Sequence, residues 1–201
     1  MDLDSNVQLC LGPMFSGKTS ELVRRAQPYR FIQKAGILLF KPHFDTRHGE
    51  GSPIVRTHSG MNIDFAHKQE LISCGEDIIQ RAMKWREANS DYDHLLILVD
   101  EGQFVRNLRA AAEWATKQSD FNATMIIAAL DGDYHRKMFP SIVEVLPLCS
   151  QVSKFRAICM DCKKRTAPYT RIRISPQEDT QCIVGGVEKY AACCATCYEA
   201  K

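Results

Sequence analysis

Three groups of residues in this sequence have types and spacings that can do chemistry. Gly12-Pro13-Met14-Phe15-Ser16-Gly17-Lys18-Thr19 fits G-x-x-x-x-G-K-[ST]. The glycines of that pattern permit a tight turn whose N–H groups, reinforced by a helix N-terminus, face phosphate oxygens. Lys18 would reach the β- and γ-phosphates of a nucleoside triphosphate, and the Thr19 hydroxyl would hold magnesium. The pair Asp100-Glu101 ends an apolar run at residues 95–99. Such a run fixes carboxylates rigidly at the ligand-binding edge of an open α/β sheet. Asp100 can then orient the magnesium shell, while Glu101 can take the proton of an acceptor hydroxyl as it attacks the γ-phosphate. Cys159 and Cys162 form one C-x-x-C pair and Cys194 and Cys197 another, with 31 residues between them. Four cysteines in two such pairs suit a tetrahedral zinc with no position left for catalytic water, hence a structural ion. Cys193 adjoins Cys194 and leaves the local register open, although only Cys194 keeps the paired spacing with Cys197.

Elements able to hold these groups can be read around them. Residues 7–11 form a short buried strand entering the glycine turn, and 17–30 read as the helix leaving it. Apolar runs at 36–40, 95–99, 125–130 and 142–146 have strand length, and 70–88 and 108–118 have mostly helical spacing. Short apolar strands alternating with helical segments imply a parallel sheet covered on both faces, an α/β fold. Residues 46–60 have the glycine-rich, polar composition of a loop. After residue 153 the pattern changes to cysteines, basic residues and short strand-like pieces such as 169–174. The expected division is therefore a nucleotide-binding α/β domain over 1–153 and a small zinc-binding domain over 154–201. With the phosphate loop in the first of these, its grip on the donor is expected to depend little on the zinc.

Composition narrows the partners. A chain of 201 residues, 45% hydrophobic, can bury one sizeable core. A formal net charge of +2 gives no strong reason to expect nucleic acid or a membrane surface. The basic trio Lys163-Lys164-Arg165 beside the cysteines keeps a nucleic-acid-binding ATPase as the rival reading. No Asn-Lys-x-Asp guanine-reading segment occurs. Nine cysteines, an odd number, fit reduced cytosolic thiols better than disulfides. The acidic start Met1-Asp2-Leu3-Asp4-Ser5 is unlike a secretory signal, so a soluble, cytoplasmic protein is expected.

The ordered set GPMFSGKT, Asp45-Thr46-Arg47, Asp100-Glu101-Gly102-Gln103-Phe104, Ala128-Ala129-Leu130-Asp131-Gly132, the cysteine pairs and Gly185-Gly186-Val187-Glu188-Lys189-Tyr190 resembles the type II, or cytosolic-type, thymidine kinases over nearly the whole chain. The resemblance implies a P-loop (RecA-like) parallel sheet flanked by helices, with a small C-terminal zinc domain. It implies transfer of the ATP γ-phosphate to the 5′-hydroxyl of thymidine, with magnesium and zinc as the metals and Glu101 as the base. It further implies that Asp45 and Arg47 lie near the transferring phosphate. Between the cysteine pairs, residues 165–190 would form a lasso over the nucleoside and hold its base largely through main-chain hydrogen bonds. Met14, Phe104, Leu130 and Phe139 would pack around thymine and sugar, together with Thr170, Ile183, Gly186 and Tyr190. The resembling family suggests a homotetramer. Met138 stands where that family usually has proline, and Cys182 and Cys193 are additions to its pattern.

Overall fold

A run of apolar residues that must bury both faces forms the middle of a parallel sheet, and four such runs lie side by side here. The computed structural model of the chain describes residues 6–43, 64–174 and 185–200. Residues 46–60, with Asp45, Arg47, Ile183 and Cys182, lie outside the described residues. In chain order the main elements are β1 (Asn6–Gly12), α1 (Lys18–Ala26), β2 (Ala35–Pro42), β3 (Lys68–Ile72), α2 (Gly75–Ala88), β4 (His94–Val99), α3 (Leu108–Thr116), β5 (Asn122–Leu130), α4 (Pro140–Val145) and β6 (Gln151–Lys154). All six strands are parallel, in the order β3-β2-β4-β5-β1-β6. The alternation of strand side chains divides each apolar run between two cores. Leu95, Ile97 and Val99 of β4 pack with Ile78, Trp85, Leu108 and Ile142 from α2, α3 and α4. Leu96 and Leu98 pack on the other side with Leu22, Val23 and Ala26 of α1.

Three expectations from the sequence change. Residues 142–146 are not a strand: Pro140 opens α4 at a position where its missing N–H costs nothing. The helix buries Ile142 and Val145, three residues apart, and leaves Val143 exposed. The sixth strand is instead the polar, edge-lying β6. The helix expected over 70–88 begins only at Gly75, after β3. Cys74 and Asp77 form a capping box, with Asp77 Oδ2 accepting from the N–H groups of Ser73 and Cys74 at 2.7 and 3.2 Å. The helix expected to run from 17 to 30 ends at Ala26 and gives way to a 3₁₀ turn over Gln27–Phe31, where Pro28 interrupts the α-helical ladder.

Beyond β6 the chain forms β7 (Ala157–Ile158), β8 (Thr166–Ala167), β9 (Tyr169–Ile172), β10 (Tyr190–Cys193) and α5 (Ala195–Glu199). β7 pairs with β8 and β9 with β10, both antiparallel. Ala157, Cys159, Ala167, Ala192, Cys193 and Cys194 make a small buried cluster there, and Phe15 of the phosphate loop packs against it. Arg136, just after β5, pairs with Glu199 at 2.8 Å and stacks over the Tyr198 ring, while Tyr198 Oη donates to the Tyr134 carbonyl.

Candidate active site

The phosphate loop joins the carboxyl end of β1 to the start of α1. Gly17 caps α1 at φ 83°, a left-handed conformation that glycine adopts without the steric penalty of a Cβ. Gly12 is constrained by space, since a Cβ there would stand 2.9 Å from the Phe155 carbonyl oxygen. Ser16 Oγ and Lys18 Nζ both donate to the Pro13 carbonyl, at 2.8 and 2.7 Å. These bonds draw the Lys18 ammonium back over the mouth of the loop.

Asp100 and Glu101 leave β4 beside that loop. The Asp100 N–H donates to the Phe40 carbonyl of β2 at 3.0 Å, and Asp100 Oδ1 accepts from Thr19 Oγ1 at 3.1 Å. One hydroxyl and one carboxylate, both hard oxygen donors, thus meet at the sheet edge, the donor chemistry magnesium takes. Glu101 is left-handed at φ 54°, ψ 42°, a turn that directs it away from the extended path of β4. Its Oε2 accepts a 2.6 Å hydrogen bond from Gln103 Nε2, and Gln103 Oε1 accepts from the Leu130 N–H at 2.9 Å.

Two residues here were not singled out from the sequence. Gln103 is 5% exposed. Its place within the DEGQF segment is visible, but its partner Leu130 lies 27 residues away in sequence and is brought near only by the fold. Lys41 is 1% exposed. β2 pairs Phe40 with Val99, so Lys41 stands beside Asp100, and strand alternation puts both on the α1 side of the sheet. The sequence signal was a lysine ending an otherwise apolar strand.

The described residues expected around the nucleoside fall into four groups. Phe104 and Phe139 meet edge to face with ring centroids 5.8 Å apart. Leu130 ends β5 opposite Gly12 and is tied to Gln103 as described. Met14 donates its N–H to Thr170 Oγ1 of β9 at 3.0 Å, a bond spanning 156 residues of sequence. Gly186 and Tyr190 sit together at the start of β10, where the Tyr190 N–H donates to the Gly186 carbonyl at 2.9 Å.

The thiols of Cys159, Cys162, Cys194 and Cys197 all lie within 4.8 Å of one another, and Cys162 Sγ is 3.9 Å from Cys194 Sγ. Sulfurs around a tetrahedral zinc, with Zn–S near 2.3 Å, stand about 3.8 Å apart. A disulfide would need about 2 Å. Burial raises the Cys159 thiol, but main-chain N–H donors at Cys194, Cys162 and Asp161 outweigh it and bring the group down to about 6. Cys197, hydrogen-bonded to Cys194 and then desolvated, is pushed up to about 12. Four sulfurs this close cannot all ionise without a cation among them, and the donor set fits zinc. Cys193 ends β10 in the same buried cluster, its thiol within 4.8 Å of the Cys159 thiol, but it donates to Asp161 Oδ2 at 3.0 Å and is pushed up to about 12 by burial first and by that bond second. The neighbouring Cys194, as the N-cap of α5, supplies the fourth sulfur.

Comparison with known proteins gives a family model described as thymidine kinase, matched by residues 5–198. The chain is 34% identical over 192 residues to a cytosolic thymidine kinase of Gallus gallus, covering 96% of this chain and 76% of that one. It is 35% identical over 192 residues to a cytosolic thymidine kinase of Cricetulus griseus, covering 96% and 72%. A thymidine kinase of Variola virus is 32% identical over 193 residues, covering 96% of both chains.

Proposed function

This chain belongs to the thymidine kinase family, and from that premise we propose how its own residues carry the reaction. It is a thymidine kinase, so its substrates are a nucleoside and a nucleotide, with ATP the donor that the family implies. The observation that supports the proposed site best is the meeting of Lys18, the Thr19–Asp100 pair and the clamped Glu101 at one end of the sheet.

In this reading the triphosphate lies along residues 12–19, with main-chain N–H groups and the start of α1 facing its oxygens. Lys18 follows the charge of the β- and γ-phosphates. Thr19 and Asp100 would hold magnesium, which when bound neutralises charge between those phosphates. Thymidine packs against Met14, Phe104, Leu130 and Phe139, with Thr170, Gly186 and Tyr190 on the lasso side. Asp45, Arg47 and Ile183 are proposed for the same site from the resemblance alone. Glu101 accepts the 5′-hydroxyl proton as that oxygen bonds to the γ-phosphorus. The bond from the γ-phosphorus to the β-bridging oxygen then breaks, giving dTMP and ADP. Cys159, Cys162, Cys194 and Cys197 would hold a structural zinc that pins both ends of the lasso. We place the protein in the cytoplasm, after its cytosolic relatives; no helix among the described residues is long and apolar enough to cross a membrane. The proposed homotetramer rests on the resemblance and is tested by sedimentation.

Product formation from ATP across a panel of nucleosides, with and without single-stranded DNA, tests the reading. Thymidine-dependent formation of ADP and dTMP is expected. DNA-stimulated hydrolysis that ignores nucleoside would instead favour the nucleic-acid-binding ATPase. Lys18→Ala tests the phosphate loop: losing a charge-assisted contact of about 1.5–3 kcal/mol is expected to weaken ATP about ten- to a hundredfold. Unchanged ATP affinity and turnover in that variant would remove Lys18 from the donor site.

A further inference from the structure

We propose that Gln103 is a positioning residue that fixes the direction of the Glu101 carboxylate toward the acceptor hydroxyl. The inference rests on the reading of Glu101 as the general base. The Leu130 N–H can only donate, so the Gln103 amide must turn its Oε1 toward it, which it does at 2.9 Å. With Oε1 so occupied, Nε2 necessarily faces the other way, and there it meets Glu101 Oε2 at 2.6 Å. The direction of the amide is therefore set by the backbone of β5 and not by the carboxylate it serves. The Gln103 main chain is held as well, because Ser141 Oγ of α4 donates to its carbonyl at 2.9 Å. Tying Oε2 in this way fixes the plane of the carboxylate, and the plane decides where the lone pairs of Oε1 point.

The need for such a clamp follows from the backbone. Glu101 stands in the left-handed region, in a turn closed by the Phe104 N–H on the Glu101 carbonyl at 3.1 Å. A glutamate on a turn has several rotamers available, and a base misplaced by about 1 Å can cost about a hundredfold in rate. Burial of the amide keeps water from competing for the 2.6 Å bond. The clamp also begins on a wall of the nucleoside site: Leu130, whose N–H orients Gln103, is one of the side chains proposed to pack against thymidine. The same short path of atoms therefore joins the proposed binding surface to the proposed base.

The test is a double-mutant cycle on the full chain with Glu101→Gln, Gln103→Met and both together. The measurements are kcat, KM for thymidine and ATP, and the melting temperature. Gln103→Met is expected to lower kcat about ten- to a hundredfold, to leave both KM values within a factor of about three, and to have no further effect on kcat once residue 101 is glutamine. Gln103→Glu keeps an acceptor for the Leu130 N–H and the buried packing, but sets a second carboxyl against Glu101, and two carboxyls that close share one proton. It tests the contact between residues 101 and 103 separately from loss of packing: kcat is expected to fall at least as far, with the basic rise of its pH profile moved to higher pH. Normal kcat in either Gln103 variant, alongside an inactive Glu101→Gln, overturns the clamp. So does an equal fractional loss from Gln103→Met with and without Glu101. Full turnover in Glu101→Gln alone overturns the general-base reading and the clamp with it, and that result is recognisable because it does not depend on residue 103.

Discussion

Changing Glu101 to glutamine is expected to lower kcat about 10²- to 10⁴-fold while the protein melts near its normal temperature and still binds ATP. An amide cannot take the proton of the attacking hydroxyl, so the loss should fall on the chemical step. Binding should survive because the replacement preserves the local bonding: a glutamine at 101 can offer its own carbonyl oxygen to Gln103 Nε2, where Glu101 Oε2 now accepts at 2.6 Å. The left-handed turn is likewise unaffected by exchanging one oxygen for a nitrogen. Lys18, Thr19 and Asp100 all lie outside the exchange, and they are the groups proposed to hold the donor and its magnesium. Steady-state rates, calorimetric ATP binding and a melting curve check this in one preparation. A variant with normal kcat would leave the proton transfer to some other group.

The second large effect concerns the metal. Cys197→Ser removes one of four sulfurs that stand within 4.8 Å of one another, and bound zinc is expected to fall from about one per chain toward zero. β9 and β10 would carry the two ends of the proposed lasso; β9 is tied to the cysteine cluster by Arg171 on the Cys197 carbonyl and β10 by Ala192 and Cys193 within it, so thymidine affinity is expected to fall about a hundredfold. That figure corresponds to two to four main-chain hydrogen bonds at about 1 kcal/mol each. From the sequence alone donor binding was expected to survive loss of the zinc much better than thymidine binding. The structure adds a link between the phosphate loop and the cysteine cluster, because Met14 donates to Thr170 and Phe15 packs on the buried cluster around the cysteines. Losing one neutral hydrogen bond of about 1 kcal/mol should weaken ATP about fivefold. The contrast between about a hundredfold and about fivefold is what zinc analysis and two binding titrations would read. Stoichiometric zinc in the variant would remove Cys197 from the ligand set. Lost zinc with normal thymidine affinity would separate the metal from the lasso.

What could be read beforehand divides by the range of the interactions that decide it. The phosphate loop is local: glycine freedom, a strand before and a helix after are all written within about fifteen residues. The same is true of the acids after β4, whose apolar run has no alternative but burial. α4 was misread because Ile142, Val143 and Val145 are β-branched and look strand-like, whereas Pro140 and the three-residue spacing of the buried pair decide for a helix. β6 left no apolar pattern because an edge strand with mostly exposed side chains needs none. Gln103 and Lys41 acquire their surroundings only when distant strands are laid side by side, so their local signals, a glutamine within DEGQF and a lysine ending an apolar run, could not give their partners. The choice between Cys193 and Cys194 likewise waited on the fold: the Cys194 thiol lies within 4.8 Å of the thiols of Cys159, Cys162 and Cys197, whereas Cys193 is drawn to Asp161.

The bond between Met14 and Thr170 also bears on the order in which ligands help each other. It joins the loop proposed for the donor to the strand proposed to close over the acceptor. If an occupied nucleoside site steadies that strand, the gain passes to the loop. Linkage then requires the gain to be mutual: the factor by which thymidine tightens ATP must equal the factor by which ATP tightens thymidine. A single neutral hydrogen bond limits the part carried by this contact to about 1 kcal/mol, or about fivefold. With those proposed roles, the two substrates would share one modest, symmetric cooperativity through this contact, with neither acting as the switch for the other.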